Sequence, residues 1–156
     1  MTEQNLPQPV LQFAFEARVG IAPTLHVGRG EDEVVAFTPI TGGVVEGPRL
    51  QGEVLAGGGD WSVTRSDATE LDARYLLRAT DGSVIDIVNR GFWRASADVE
   101  DRLARGEAVP ESAYYFRTSP VFRTDAAAHA WLCSTVFVGL ARDTSSQICI
   151  RFFEVL

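Results

Sequence analysis

The chain has 156 residues, 46% of them hydrophobic and 22% charged, with a formal net charge of −7, which suits a single soluble domain with a sizeable core. All fourteen basic residues are Arg and none is Lys, so Schiff-base chemistry through a lysine amine, including covalent pyridoxal phosphate, is excluded. The acidic balance argues against a nucleic-acid partner, and no apolar run approaches the ~20 residues of a membrane-spanning helix.

From the N-terminus, "MTEQNLPQPV" is polar and lacks the basic and apolar regions of a secretory signal. Residues 1–9 are expected to form a flexible segment, the barrel domain to span 1–156, and the location to be cytoplasmic. Beyond it, "GRGEDE", "TGG", "AGGGD", "TDGS" and "RDTSS" punctuate β-branched and aromatic runs every 8 to 15 residues. This is the pattern of an antiparallel all-β protein. Strands are predicted at 10–19, 33–40, 44–56, 60–65, 70–79, 83–91, 113–119, 131–142 and 146–156. One helix is predicted in "SADVEDRLARGE", capped by Ser96, with acids in its first turn and Gly106 at its end. Long strands with few free edges predict a closed or nearly closed antiparallel β-barrel of about eight to ten strands with one short helix. Such a barrel is wide enough for one small ligand.

The clearest hairpin is "LDARYLLRATDGSVIDIVNRG". Asp81-Gly82 reads as a two-residue turn, which sets Thr80 opposite Ser83, Arg78 opposite Ile85, Leu76 opposite Ile87, Arg74 opposite Asn89 and Asp72 opposite Gly91. One face then combines Asp72, Arg74 and Asn89 with Leu76, Ile85 and Ile87. That mixture suits a mostly apolar pocket with a few placed polar groups, and equally a solvated face carrying a surface ion pair.

Four segments, "GGVVEGPRLQGEVLAGGGDW", "LDARYLLRATDGSVIDIVNRG", "YYFRTSP-F-T" and "WL-ST-FVG", resemble domain-of-unknown-function family 3237, also called the UPF0311 proteins. The resemblance runs from about residue 10 to the end. It implies a small antiparallel β-barrel with a ligand-sized interior, and small carbonyl or phenolic substrates. The positions carried over are Asp60, Asp72, Arg74, Asn89, Tyr115, Arg117 and Trp131. The chain departs from the family's Tyr-x-Trp-Leu-Asn stretch, where it reads His129-Ala130-Trp131-Leu132-Cys133. An imidazole and a thiol replace a phenol and an amide, which changes the hydrogen-bonding capacity there.

A Cys133–His129 nucleophilic pair is rejected, because residues four apart on a strand are ~13 Å apart and a dyad needs ~3 Å. Cys133 and Cys149 are expected as free thiols, too far apart along neighbouring strands to bridge. With only His26 and His129 as imidazoles and no CxxC or HxxxH, no metal site is expected. "AGGGDWS" lacks the GK[ST] ending and following helix of a phosphate loop. No cofactor is expected.

Acid–base chemistry is the stronger enzymatic reading. Asp60, between three glycines and Trp61, is a candidate for a raised pKa, though "GGGD" reads equally as a turn. Asp60 or Asp72 would move the proton, and Arg74, Asn89 and Arg117 would hold a developing oxyanion. Tyr115 and Cys133 are further ligand contacts, and Trp131 and Phe137 an aromatic wall or simple core. The expected function is a cofactor-independent lyase, isomerase or cyclase acting on an aromatic or polyketide-like carbonyl compound. The alternatives are a non-catalytic small-molecule carrier and a structural subunit. The expected partner is a small molecule, with a homo-oligomer left open.

Overall fold

The computed structural model of the chain describes residues 6–144 and 146–156. The first five residues of the expected flexible segment, and Ser145, lie outside the described residues. The strands are β1 (Leu11–Ile21), β2 (Leu25–Arg29), β3 (Val34–Glu46), β4 (Gly52–Val54), β5 (Gly59–Arg65), β6 (Ala68–Ala79), β7 (Val84–Ala95), β8 (Tyr114–Arg123), β9 (Phe137–Thr144) and β10 (Gln147–Val155). The α-helix is α1 (Ala97–Ala104), and 3₁₀ segments cover Glu111–Ala113 and Ala127–Ser134.

All pairings are antiparallel, and the sheet closes because β1 pairs with β10 on one side and with β3 on the other. β2 continues β1 along β3, while β4 and β5 lie end to end between β3 and β6. Ten strands therefore make eight staves of a closed barrel, as expected. Alternation decides what enters the lumen. On β8, Phe116, Thr118 and Phe122 are buried while Tyr115, Val121 and Arg123 face out.

The two ends of the lumen are filled differently. One end is packed by Phe15, Phe122, Phe137 and Phe152, with ring centroids 5.0–5.9 Å apart in tilted and edge-on pairs. Offset pairs of this kind are favoured by the ring quadrupoles. Leu77, Ile85 and Ile87 complete this plug, and the 3₁₀ segment Ala127–Ser134 adds Leu132, all four essentially inaccessible to water. The other end is not filled.

The helix forms as predicted. Ser96 Oγ accepts the Val99 N–H at 3.3 Å, and Gly106 follows the helix at φ +77°, where a residue without Cβ carries no steric penalty. Two expectations fail. The strand predicted at 131–142 begins only at Phe137, because the Ala-rich run before it favours a helical turn and β-branched residues begin at Thr135. The strand predicted at 44–56 is divided: β3 runs through Gly42-Gly43 to Glu46, and the chain turns at Gly47-Pro48, where proline has no N–H for a ladder.

The β6–β7 register differs from expectation by one residue. The loop holds three residues, Thr80, Asp81 and Gly82, not two. Gly82 N–H donates to Ala79 O at 2.9 Å and Ala79 N–H to Ser83 O at 2.9 Å. Asp81 Oδ1 accepts the Ser83 N–H at 2.9 Å, and Gly82 has φ +88°. This is a three-residue loop closed by a left-handed residue. Arg78 therefore pairs with Val84, Leu77 with Ile85, Tyr75 with Ile87 and Ala73 with Asn89. A slip of one residue exchanges the faces of a strand, so Asp72 and Arg74 point outward and Ala73 and Tyr75 point into the barrel.

Candidate functional site

The unfilled end of the lumen is a cavity of about 290 Å³, open at its rim. Its walls are mostly apolar, including Val19, Ile40, Leu71, Phe116, Ile148 and Ile150, with Trp93 among them. The polar groups are Asp60, Tyr75, Asn89, Thr118 and Asp143, with Thr24, Thr38, Ser62 and Thr69. Apolar walls with a few convergent polar groups are the signature of a small-molecule site. Among the described residues, neither Arg nor His lines this cavity.

Asp60 enters the lumen from the start of β5, just after the Gly57–Gly59 bend. Gly57 has φ +112°, and a Cβ on Gly59 would overlap the Phe37 ring. The glycines thus let the chain turn sharply and bring β5 close under Phe37. Trp61, the next residue, faces out against Phe37 with ring centroids 4.5 Å apart, so the indole does not cover the carboxyl as the sequence suggested. Asp60 Oδ1 accepts the Asp72 N–H at 2.9 Å. Burial pushes its pKa up to about 6; the Asp72 N–H partly opposes this, and the Asp72 charge adds a smaller upward push.

Asn89, Tyr75 and Thr118 lie deeper, with 2%, 3% and 5% exposure. Burial raises the Tyr75 phenol, only partly offset by the neighbouring Asn89 amide, so Tyr75 stays protonated. Among the described residues, Tyr75 Oη, Asn89 Oδ1 and Thr118 Oγ1 have no well-formed hydrogen-bond partner. Buried polar atoms are rarely left so. Asp143 stands on β9 at the cavity's lip; it is exposed, yet the surrounding rim is enough to raise its pKa.

Of the residues singled out from the sequence, the cavity holds Asp60 and Asn89. The others are placed elsewhere. Asp72 pairs with Arg90 at 3.1 Å and Arg74 with Asp86 at 3.3 Å on the outer face, a consequence of the register. Tyr115 and Arg117 occupy outward positions of β8; Arg94 and Arg117 lie over the Tyr115 ring at 4.0 and 5.4 Å, and Arg117 Nη1 donates to Phe116 O. Trp131 and Cys133 are on the 3₁₀ segment, not on a barrel wall. Arg49 covers the Trp131 ring at 3.8 Å, and the exposed Cys133 thiol lies 3.8 Å from Thr124 O. Phe137 belongs to the aromatic plug.

The supposed strand separation of His129 and Cys133 is thus replaced by a different fact. His129 Nε2 meets Asp81 Oδ2 at 2.9 Å, while Cys133 faces Thr124. Cys133 and Cys149 are free thiols, and Cys149 pairs in register with Arg142. Sequence reasoning missed Tyr75, Thr118, Trp93 and Asp143. The correct hairpin register would have found Tyr75, since it shares the inward face of Asn89. Among the described residues, no three or more His, Cys, Asp or Glu side chains group as metal ligands would, and no helix is long and apolar enough to cross a membrane.

A UPF0311 protein of Clostridium acetobutylicum is 35% identical over 130 residues, 81% of this chain and 82% of that relative. The crystal structure of a conserved protein from Rhodopseudomonas palustris superposes with TM-score 0.89 and 31% identity, covering 97% of this chain and 99% of that one. The hydroalkoxylation enzyme phnH of Penicillium herquei is 33% identical over 78 residues, 49% of this chain and 52% of the enzyme. The family model described as protein of unknown function, DUF3237, matches residues 9–155, and with relatives of this identity along most of its length the chain belongs to the DUF3237 family, whose members include the UPF0311 proteins.

Proposed function

We propose that the cavity is the active site of a cofactor-independent acid–base enzyme, a lyase, isomerase or cyclase, acting on a small aromatic or polyketide-like carbonyl compound. The observation that carries this reading is Asp60: a carboxyl in a mostly apolar cavity with its pKa pushed up to about 6. A base poised near the working pH gains both the right protonation state and driving force for proton transfer. At pH 7 Asp60 is mainly ionised, and the Asp72 N–H on Oδ1 fixes its orientation while leaving Oδ2 for a substrate proton.

One reaction of this class is the intramolecular addition of a hydroxyl to an enone in the same molecule. Asp60 takes the hydroxyl proton, the oxygen forms the new C–O bond, and the π pair moves onto the carbonyl oxygen. The enolate then recovers the proton from Asp60 at its α-carbon. The product is an isomer of the substrate, so no oxidant, reductant or co-reactant is needed. The hydroalkoxylation enzyme related to half of the chain supports this class, since its name denotes addition of an alcohol across a C=C bond. The oxyanion here would be met by neutral donors, because the guanidinium groups of Arg74 and Arg117 face outward.

The test is ring closure of a panel of ortho-hydroxyaryl enones, followed by absorbance against buffer. The Asp60→Asn variant is expected to lose at least about 100-fold in kcat/KM, the scale of general acid–base catalysis, with ligand affinity retained. In the wild type kcat/KM should fall as pH drops through about 6, where Asp60 takes up its proton. Full activity in Asp60→Asn would refute the assignment, and binding without turnover across the panel would favour a carrier.

A further inference from the structure

The deep end of the cavity has a chemistry of its own. Tyr75 is a buried phenol held in its protonated form, so it offers an O–H donor. Asn89 Oδ1 can only accept, and Thr118 Oγ1 can do either. All three line the cavity, all are more than nine-tenths buried, and all lack a well-formed partner among the described residues. Tyr75 and Asn89 are neighbours, and a single ligand group that completes both accepts from Tyr75 and donates to Asn89. A ketone or an ether accepts but leaves Asn89 Oδ1 unpaired. A carboxylate or phosphate also cannot donate, and it would find no cation, because among the described residues no Arg or His lines the cavity while Asp60 and Asp143 do. Burying an unpaired anion there is strongly unfavourable. A neutral hydroxyl satisfies both requirements. The volume, about 290 Å³, lies near the lower limit of small-molecule sites and suits one or two rings against Trp93 and Phe116.

We propose that the cavity selects a neutral, hydroxylated one- or two-ring compound and binds it hydroxyl first, against Tyr75, Asn89 and Thr118. Carboxylate and phosphate-bearing compounds are excluded as ligands. This selection rests on the cavity being the substrate site proposed above, but it concerns recognition, so it is read by affinity and not by turnover. Asp60, less buried than these three, is left free for the reacting part of the molecule.

The experiment is calorimetric titration of the full chain at pH 7 with 1-naphthol, 1-methoxynaphthalene and 1-naphthoate. The three share a ring system and differ in donor capacity and charge. 1-Naphthol is expected to bind at least about tenfold more tightly than either of the others, since a site built for a hydroxyl discriminates strongly against analogues that leave it unpaired. Asn89→Leu and Thr118→Val, each checked for native circular dichroism, should shrink that preference to within about threefold; Thr118→Val nearly conserves shape, so it reports even where the Leu variant fails to fold. Asp60→Asn should keep the preference over 1-methoxynaphthalene and weaken only that over 1-naphthoate, since it removes one of the two carboxylates that line the cavity.

Equal or tighter binding of the naphthoate or the ether would overturn the proposal, as would no binding of 1-naphthol. So would a preference that survives Thr118→Val unchanged, or a preference over the ether that vanishes in Asp60→Asn, which would assign it to the carboxyl. The two readings fail separately. Retained turnover in Asp60→Asn removes the acid–base assignment and leaves the hydroxyl preference standing. A missing preference removes the recognition proposal and leaves the kinetics of Asp60 standing.

Discussion

Asp60, the proposed proton-transfer group, carries a stability cost that can be measured without a substrate. Its pKa is about 6 in the folded protein against an ordinary value of 3.8, so between those pH values the folded state binds more protons than the unfolded chain. The slope of unfolding free energy with pH follows the protons bound by the unfolded state minus those bound by the native state, and here that difference is negative. The Asp60 contribution therefore declines as pH rises through about 4 to 6, and the full penalty is present above 6. Two pKa units correspond to at most about 3 kcal/mol at 1.36 kcal/mol each, with screening by the open rim reducing that value. Asp60→Asn removes the charge while its amide oxygen can still accept the Asp72 N–H. It is expected to be more stable than wild type at pH 7 to 8, by up to about 3 kcal/mol, and nearly equal at pH 4. Urea denaturation of both proteins across pH 4–8 measures this. A variant less stable than wild type at pH 8 would contradict the buried-charge account. Gain of stability on removal of an ionised active-site group is a common exchange against activity.

At the level of elements, what could be read from the sequence depended on whether a local signal met a competing one. Helix α1 was legible because Ser96, its first-turn acids and Gly106 all point the same way. The β6–β7 hairpin was legible as a hairpin but not in register. Asp81-Gly82 is the common two-residue turn, yet the Asp81 carboxylate captures the Ser83 N–H and Gly82 takes the left-handed position of a three-residue loop. Both solutions use the same two residue types, so the dipeptide could not choose between them. The choice decided the site: one residue of slip exchanged Asp72 and Arg74 for Ala73 and Tyr75 and carried an apparent ionic pocket to the outer surface. Apolar patterning could not correct it, since both faces of β6 hold apolar residues, Leu76 outside and Leu71, Tyr75 and Leu77 inside. Gly82→Ala is expected to cost about 1–2 kcal/mol, the penalty of placing a Cβ in the left-handed region, with Gly82→Asn costing less because Asn tolerates it. Thermal denaturation checks the order. Ligand affinity should be unchanged in both, because the loop is remote from the cavity lining; equal stability of all three proteins would contradict the left-handed conformation of Gly82.

For the whole molecule, closure was legible and the location of the empty half was not. Punctuated strands with few edges to spare call for a barrel, and the chain closes one from eight staves. Which end stays open depends on how inward side chains from all staves add up, and residue types at the two ends overlap. Phe116 and Phe122 occupy inward positions of the same strand, yet one lines the cavity and the other is part of the plug. Trp131 and Phe137, read as a wall for an aromatic ligand, instead close the opposite end, where Arg49 lies over Trp131 and reaches the buried Glu154. The barrel thus divides its labour, with aromatic burial at one end supplying stability and the unfilled end leaving the cavity proposed as the site. Phe137→Ala separates these roles. Phe137 is 2% exposed and touches Phe122 and Trp131, so its loss should cost about 3–5 kcal/mol through lost burial and a residual cavity. Because Phe137 does not line the ligand cavity, affinity of the folded fraction should stay within about threefold of wild type, with sites of separate contacts behaving independently. Denaturation midpoints and calorimetric affinity, measured on the same preparation at low temperature, give both numbers. A large loss of affinity with little loss of stability would return Phe137 to the ligand wall and place the binding site at the plugged end.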